Sequence, residues 1–126
     1  MTRRKKILLV EDNPLNMELA ADILEQAGHE VIEATSAEKG IQLAKSAVPD
    51  LILMDTSLPG MDGLAATRIL QADPVTEKIP VVSLTAHAMS GDEQKALAAG
   101  CVGYVIKPIN TRTFAESIAR FLNPTE

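Results

Sequence analysis

The stretch Asp50-Leu51-Ile52-Leu53-Met54-Asp55 decides the fold. Four consecutive apolar residues lead directly into the carboxylate of Asp55, which predicts a strand at residues 51–54 that is buried on both faces, as in a parallel sheet. Ligands of open α/β sheets bind at the carboxyl ends of such strands. Asp55 is therefore predicted to lie at an edge of the sheet where a ligand can bind.

Three other apolar stretches also lead directly into polar side chains. They are residues 7–10 before Glu11 and Asp12, residues 81–84 before Thr85, and residues 102–106 before Lys107. If these stretches are neighbouring parallel strands, their polar groups meet at one edge of the sheet. Three acids, a hydroxyl and an ammonium in this arrangement are the main indication of function.

The segments between the strands have the patterns of helices. Helices are predicted at residues 14–26, 36–46, 63–71, 91–99 and 111–122, and a further strand at residues 30–34. The first helix has a favourable N-cap in Asn13 and a proline in its first turn. Its expected inward face consists of Leu15, Leu19, Ile23 and Leu24. This alternation predicts an α/β fold, a doubly wound five-stranded parallel sheet with helices on both faces.

Composition places the chain among ordinary globular domains. It has 126 residues, 46% of them hydrophobic, and a net charge of −5, and we expect residues 1–126 to form a single domain without an output domain. The negative charge disfavours nonspecific nucleic-acid binding, and the basic cluster at residues 3–6 is expected to be a solvated flank.

Cysteine use and hydropathy bear on the compartment. The one cysteine, Cys101, cannot form an internal disulfide and is expected to be a buried apolar residue. No segment approaches the roughly 20 apolar residues that span a bilayer, and the first apolar stretch is too short for a signal peptide. We expect a cytoplasmic protein with no membrane span.

Three carboxylates at one edge favour a divalent cation. Closely spaced carboxylates repel one another, and a bound Mg²⁺ relieves this repulsion. Mg²⁺ prefers a few oxygen ligands, keeps several waters and usually works beside phosphate oxygens. An aspartate beside such an ion can accept a phosphoryl group as an acyl phosphate. Zinc is disfavoured because His29 and His87 have no ligand spacing, and His29 is expected to be a surface turn residue.

Five short motifs, taken in order, resemble the receiver domain of two-component response regulators over essentially the whole chain. They are Val10-Glu11-Asp12-Asn13, Leu53-Met54-Asp55, Leu58-Pro59-Gly60-Met61-Asp62-Gly63, Leu84-Thr85-Ala86 and Lys107-Pro108. The resemblance implies a flavodoxin-like (βα)5 fold with strand order 2-1-3-4-5, the order found in this family. Residues 11–19, 85–89, 91–93 and 100–101 are most similar to stand-alone single-domain regulators.

The resemblance also implies a role for each site residue. Asp55 is the expected phosphoacceptor, with Lys107 and Thr85 on the phosphoryl group. The expected Mg²⁺ ligands are Glu11, Asp12, Asp55 and the backbone carbonyl of Ser57. Thr85 and Tyr104 form the expected switch, in which the ring of Tyr104 turns inward when Thr85 moves. The Lys107–Pro108 peptide bond is expected to be cis.

Two further positions are expected to tune the lifetime of the acyl phosphate. Ser57 and His87 each lie two residues after a site residue, Asp55 and Thr85 respectively. In the family these positions border the path of the hydrolytic water. We therefore predict that both side chains adjust the rate of self-dephosphorylation.

The function that follows is that of a switch and not of an enzyme with a separate substrate. The expected phosphoryl donor is a histidine kinase or a histidine phosphotransfer protein. The output is expected to be contact with a partner protein at the face of the fourth helix, fifth strand and fifth helix, without direct DNA binding.

Four alternatives remain open on the sequence. The chain could be the receiver of a hybrid histidine kinase acting in a phosphorelay, or a receiver-like scaffold that is never phosphorylated. A Mg²⁺-dependent phosphohydrolase of the haloacid-dehalogenase type is disfavoured because Ser57 stands where its second aspartate belongs. A nucleotide- or flavin-binding module is disfavoured because no glycine-rich loop follows the first strand.

Overall fold

Five strands and five helices alternate along the part of the chain that the structure describes. The computed structural model describes residues 5–58, 60–85 and 92–122, with only the backbone of residues 92 and 93. The strands are β1 (Lys6–Val10), β2 (Glu30–Ala34), β3 (Leu51–Asp55), β4 (Val81–Thr85) and β5 (Gly103–Ile106). The helices are α1 (Pro14–Gln26), α2 (Ala37–Ala47), α3 (Gly63–Ala72), α4 (Asp92–Ala99) and α5 (Phe114–Leu122).

The sheet is parallel throughout, and its strand order is β2-β1-β3-β4-β5. Both the doubly wound fold and the predicted order are confirmed. The strand order reverses at β1, because β2 lies on one side of it and β3 on the other. Strands β1 and β3 pair with Val10 opposite Met54. Since ligand crevices form outside the carboxyl ends of strands at such a reversal, the ends of β1 and β3 are where a site is expected.

Helices bury the sheet on both faces. Every residue of β3 and β4 is buried, as continuous apolar strands in a parallel sheet require. One layer of the core includes Leu8, Ile52, Val81 and Ala96, and the other includes Leu9, Leu53, Leu84 and Phe114. Alternate residues of each strand thus face opposite layers, which fixes the direction in which each strand-end side chain points.

The inward face of α1 differs from the prediction. Leu24 is fully buried, but Leu15 is 76% exposed and Leu19 is 40% exposed. The buried residues of this helix are Met17, Ala20, Ala21 and Leu24. These positions follow the spacing i, i+3, i+4, i+7, and the two alanines let the helix approach the sheet closely. The larger leucines lie on the outer side.

The ends of several elements follow local chemistry. The Asn13 side chain accepts hydrogen bonds from the amides of Leu15 and Asn16, at 3.0 and 3.1 Å, so the predicted cap is confirmed. Helix α5 begins at Phe114 and not at residue 111. The Asn110 carbonyl accepts from the amides of Thr113 and Phe114, which makes residues 111–113 a turn before the helix.

Two further predictions about burial can be compared with the structure. Cys101 is buried, and burial raises the pKa of its thiol, as expected of an apolar packing residue. His29 was predicted to lie on the surface, which is wrong: it is only 6% exposed. Its amide donates to the Leu24 carbonyl at 3.1 Å, which folds the residue back against the end of α1.

Candidate functional site

The acids predicted from the strand ends converge at the carboxyl edge of the sheet. Glu11 and Asp12 directly follow β1, and Asp55 is the last residue of the neighbouring strand β3. One carboxylate oxygen from each of the three lies within 4.8 Å of the others. Glu11 and Asp55 are buried, whereas Asp12 is exposed. We call this group the acid pocket.

Lys107 joins two of these acids with a single ammonium. Its Nζ lies 3.1 Å from Glu11 Oε1 and 3.1 Å from Asp55 Oδ2. The lysine follows β5, and its amide donates to the Thr85 carbonyl at 2.7 Å, so the end of β4 positions it. Its peptide bond to Pro108 is cis, as predicted.

The charges in the acid pocket do not balance. Burial and the nearby carboxylate of Asp55 raise the pKa of Glu11. Burial acts to lower the pKa of Lys107, but its hydrogen bonds and ion pairs with Asp55 and Glu11 outweigh burial and raise it. Lys107 therefore stays charged at neutral pH, and it offsets only one of three carboxylates. The remaining negative charge fits a divalent cation.

The donor set of the acid pocket fits Mg²⁺. All three groups offer carboxylate oxygens, the hard ligands that this ion prefers. Asp12 is exposed, so the site is open on one side, as an ion that keeps several waters requires. The amide of Asn13 donates to Glu11 Oε2 at 3.1 Å, which fixes the orientation of that carboxylate.

The backbone after β3 holds the carboxylate of Asp55. The Ser57 amide donates to Asp55 Oδ1 at 2.9 Å, while Lys107 occupies Oδ2. The next residue, Thr56, is anchored to the end of β4, since its amide and hydroxyl both donate to the Leu84 carbonyl, at 3.0 and 3.3 Å. The two oxygens of Asp55 are thus held differently, one by a backbone amide and one by an ammonium.

Gly63 belongs to one of the sequence motifs, but the motif alone does not explain it. A Cβ atom built at Gly63 would overlap the backbone carbonyl oxygen of Asp55 and lie 2.9 Å from Met54 Cγ. Helix α3 thus begins in backbone contact with the end of β3, which only glycine permits. The Asp62 side chain caps the same helix by accepting from the amides of Leu64 and Ala65.

Thr85 and Ser57 line a cavity beside the acid pocket. Its volume is about 250 Å³, and Asp62, Ser83 and Lys95 also line it. The Ser83 hydroxyl is buried and has no hydrogen-bond partner among the residues that the structure describes. The cavity gives room for groups to rearrange next to Thr85.

Tyr104 lies outside the acid pocket, on β5. It pairs in register with Ser83 of β4 and is half-buried. It lines a cleft of about 540 Å³ between β5 and α5, which Phe114 and Phe121 also border. His87 lies outside the described residues, so its predicted role in tuning the dephosphorylation rate stays a prediction.

Most of the chain matches a known family. The response regulator receiver domain family matches residues 7–119. This chain therefore belongs to the response regulator receiver domain family, which works in two-component signalling. The match disfavours the phosphohydrolase alternative.

Particular relatives sharpen this assignment. The chain is 43% identical over 118 residues to the polar-differentiation response regulator DivK of Brucella ovis, covering 94% of this chain and 96% of that protein. It is therefore DivK-like, as the predicted likeness to stand-alone regulators suggested.

Solved structures agree with the fold. A CheY-like response regulator receiver domain protein from Methanospirillum hungatei JF-1 has a TM-score of 0.88 at 28% identity, covering 97% of this chain and 96% of that one. The receiver domain of the sensor histidine kinase PA1611 from Pseudomonas aeruginosa PAO1 has a TM-score of 0.87 at 33% identity, covering 95% and 98%. That structure has a magnesium ion coordinated in its active site cleft. In the described part of the present chain, no helix has the length and apolarity to cross a membrane.

Proposed function

We propose that this receiver accepts a phosphoryl group on Asp55 from a phosphohistidine donor, with Mg²⁺ bound, and signals through contact with a partner protein. The observation that supports this most strongly is the position of Asp55. Its carboxylate is 1% exposed, oriented by the Ser57 amide and paired with Lys107. It also lies beside two further acids.

The transfer itself requires little more than positioning and charge. A phosphorus–nitrogen bond in the donor breaks as a phosphorus–oxygen bond to the Asp55 carboxylate forms, and the departing imidazole takes a proton from solvent. Negative charge spreads over the phosphoryl oxygens during this step. Lys107 is held within contact distance of Asp55 and is therefore placed to stabilise that charge.

Mg²⁺ held by Glu11, Asp12, Asp55 and the Ser57 carbonyl would supply the additional positive charge that the phosphoryl oxygens need. The chain itself then acts only on its own phosphorylation and dephosphorylation, and has no separate substrate. Ser57 and His87 are proposed to tune the second of these rates. The Thr85 hydroxyl is proposed to contact the phosphoryl group.

The proposed readout is a movement of Tyr104. Thr85 ends β4, and the neighbouring strand carries Tyr104 opposite Ser83. A cavity of about 250 Å³ lies next to Thr85 and Ser83. A shift of Thr85 toward the phosphoryl group would favour the inward position of the Tyr104 ring and change the outer cleft.

The proposed output surface consists of α4, β5 and α5. Leu97 and Ile106 are 52% and 43% exposed on this surface, and the cleft beside Tyr104 lies on it. Exposed apolar side chains next to a cleft are typical of a surface that binds another protein. Its occupant is proposed to be a downstream partner that distinguishes the two positions of Tyr104.

The donor is proposed to bind on another side of the acid pocket. Leu15 and Leu19 are exposed on α1, which begins directly after the pocket residue Asp12 and the cap Asn13. A histidine kinase or phosphotransfer protein that packs on these leucines would bring its phosphohistidine to Asp55. Both partners imply action in the cytoplasm.

Intact mass spectrometry tests phosphoryl acceptance. The protein is incubated with acetyl phosphate or phosphoramidate and Mg²⁺ and quenched rapidly in acid. We expect the mass of one added phosphoryl group in the wild type, and no addition in Asp55→Asn or when Mg²⁺ is chelated. Asp22→Asn, which changes an exposed aspartate on α1, is the matched control and should be modified like the wild type. A wild type without added mass would contradict the proposal.

The switch can be followed separately because Tyr104 is the only tyrosine in the chain. Protein containing 3-fluorotyrosine should give one ¹⁹F resonance. Adding beryllofluoride with Mg²⁺, which mimics the acyl phosphate, should shift this resonance in the wild type but not in Asp55→Asn. An unchanged resonance in protein that binds beryllofluoride would contradict the proposed role of Tyr104 while leaving phosphorylation intact.

A further inference from the structure

A second groove lies at the opposite edge of the sheet, far along the strands from the acid pocket. Its volume is about 500 Å³, within the roughly 300–1,000 Å³ range of small-ligand pockets. Its apolar part is formed by Pro80, Val102, Phe121 and Leu122. Val102 is 53% exposed although it directly precedes β5. This surface, which we call the basal groove, therefore offers apolar contact that the fold does not use.

Three cationic side chains of the described residues border the basal groove. They belong to Lys5, Lys78 and Arg120. Arg120 pairs with Glu116 at 3.2 Å, but both side chains are largely exposed, so this pair is weak. Within the described residues, the ammonium groups of Lys5 and Lys78 have no hydrogen-bond or ion-pair partner.

Among the described residues of the lining, Asp50 is the one carboxylate, and it does not balance these charges. Asp50 Oδ2 accepts a hydrogen bond from the backbone amide of Lys6 at 2.8 Å, so the backbone already occupies one oxygen of this carboxylate. Three cations against one carboxylate give the described lining of the basal groove a net positive charge, in a chain whose total is −5. Positive charge concentrated in a cleft attracts anions.

We propose that the basal groove binds a small amphipathic anion, with its apolar body against Val102 and Phe121 and its charge between Lys5 and Lys78. Apolar walls with a few convergent polar groups are the usual composition of a small-molecule site. This proposal does not depend on phosphorylation of Asp55. It concerns the other end of the sheet and different residues.

The wall formed by Phe121 connects the basal groove with the output surface. A Cβ atom built at Gly103 would overlap the ring of Phe121, so this ring packs directly over the first residue of β5. Phe121 and Arg120 also border the cleft that contains Tyr104. Phe121 therefore belongs to both the basal groove and the cleft beside Tyr104, and a ligand in the groove would contact it.

Two fluorescent probes test the proposal. They are 8-anilinonaphthalene-1-sulfonate and N-phenyl-1-naphthylamine, which have the same aromatic body with and without a negative charge. The full chain should bind the sulfonate at one site, at least about tenfold more tightly than the neutral amine, because Lys5 and Lys78 attract its charge. Amide NMR shifts should concentrate at Val102, Phe121 and Leu122.

Charge variants give the decisive comparison. Lys5→Gln and Lys78→Gln should each weaken sulfonate binding about threefold and leave amine binding unchanged, in line with the strength of exposed charge pairs. Lys39→Gln, an exposed lysine on α2, is the matched control and should have no effect. Val102→Glu should weaken sulfonate binding more than about tenfold because it places a like charge in the apolar part.

Three results would overturn the proposal. The first is equal affinity for the two probes, which would mean that the cations do not contribute. The second is loss of binding in Leu15→Glu but not in Val102→Glu, which would place the probe on α1. The third is the absence of sulfonate binding to folded wild-type protein at millimolar concentration.

Discussion

At the carboxyl edge of the sheet, Glu11 and Asp55 are buried, and both pair with the partly buried Lys107. At the amino edge, Lys5 and Lys78 border an open groove and have no partner among the described residues. Buried charges in fixed positions suit a chemical step that repeats the same geometry, whereas exposed cations suit reversible binding. The following substitutions and conditions should affect the two edges differently.

The largest difference between the two edges should be in the loss of stability caused by adding one methyl group to a glycine at each edge. At Gly63 the new Cβ would overlap the Asp55 carbonyl, so Gly63→Ala should lower the free energy of unfolding by about 3 kcal/mol, measured by urea denaturation. At Gly28, before β2, nothing lies within 4 Å of the new Cβ and φ is +98°. Gly28→Ala should therefore lower the free energy of unfolding by only about 1 kcal/mol, because of backbone strain. Equal losses would contradict the close packing at the carboxyl edge.

Mg²⁺ should stabilise the carboxyl edge alone. At ten times its dissociation constant, Mg²⁺ should raise the free energy of unfolding by roughly 1.4 kcal/mol, measured at constant ionic strength. Asp12→Asn should remove this gain, and it should be more stable than the wild type without Mg²⁺ because one like charge is gone.

The control for the Mg²⁺ measurement is Asp22→Asn, which should respond to Mg²⁺ as the wild type does. A full response in Asp12→Asn would mean that the ion binds elsewhere. The higher stability of Asp12→Asn is measured without Mg²⁺, and its lost response is measured with Mg²⁺. The two parts of the prediction can therefore fail independently.

The pH should act on His29, which lies near the amino edge. Burial, with a smaller effect from Lys5, lowers the pKa of His29 in the folded protein. As pH falls through the ordinary histidine value of about 6.5, the unfolded chain takes up a proton that the folded protein does not. Stability should therefore fall from pH 7 toward pH 5.5, by at most about 1.4 kcal/mol per pH unit.

His29→Gln isolates this contribution because glutamine cannot titrate. Unfolding free energies of the wild type and the variant should differ in their pH dependence between pH 5.5 and 7, with the steeper decline in the wild type. Parallel curves would show that His29 titrates alike in both states.

The smallest expected effect concerns two buried hydroxyls. The Ser83 hydroxyl has no partner in the described structure, so Ser83→Ala should raise the free energy of unfolding by about 0.5–1 kcal/mol. The Thr67 hydroxyl donates to the Gly63 carbonyl at 2.8 Å, so Thr67→Val should lower it by about 1 kcal/mol. A loss of stability in Ser83→Ala would indicate that its hydroxyl is bonded in solution.

The strands and the residues at their ends could be predicted from the sequence because a buried parallel strand has a distinctive pattern, whereas the strand order followed from the resemblance to the receiver family. An apolar stretch that stops at one polar residue, as at Asp55, indicates both the strand and the position of that side chain. The acid pocket follows once neighbouring strands end at the same edge. Its chemistry depends on residue type, which the sequence gives directly.

Other features depend on tertiary packing and could not be predicted in this way. Helix α1 has two apolar stripes, one with Leu15 and Leu19 and one with Met17, Ala20 and Ala21. Side-chain size alone predicts that the stripe with the leucines is buried, but the stripe with the alanines is buried because it lets the helix approach the sheet closely. The burial of His29 likewise depends on how the turn folds back to Leu24.

The close contact at Gly63 is a further case. A glycine in a turn-rich motif is compatible with many backbone conformations, and only the position of the Asp55 carbonyl shows why a side chain does not fit. The basal groove was also not predicted, because its residues come from separate segments whose juxtaposition requires the full topology.

Locating the acyl phosphate within the chain tests the central claim most directly. Protein treated with acetyl phosphate and Mg²⁺ is reduced with sodium borohydride, which converts a phosphorylated aspartate into homoserine, and its peptides are sequenced by mass spectrometry. We predict homoserine at position 55 and at no other aspartate. Homoserine at position 12 or another aspartate, with position 55 unmodified, would contradict the account.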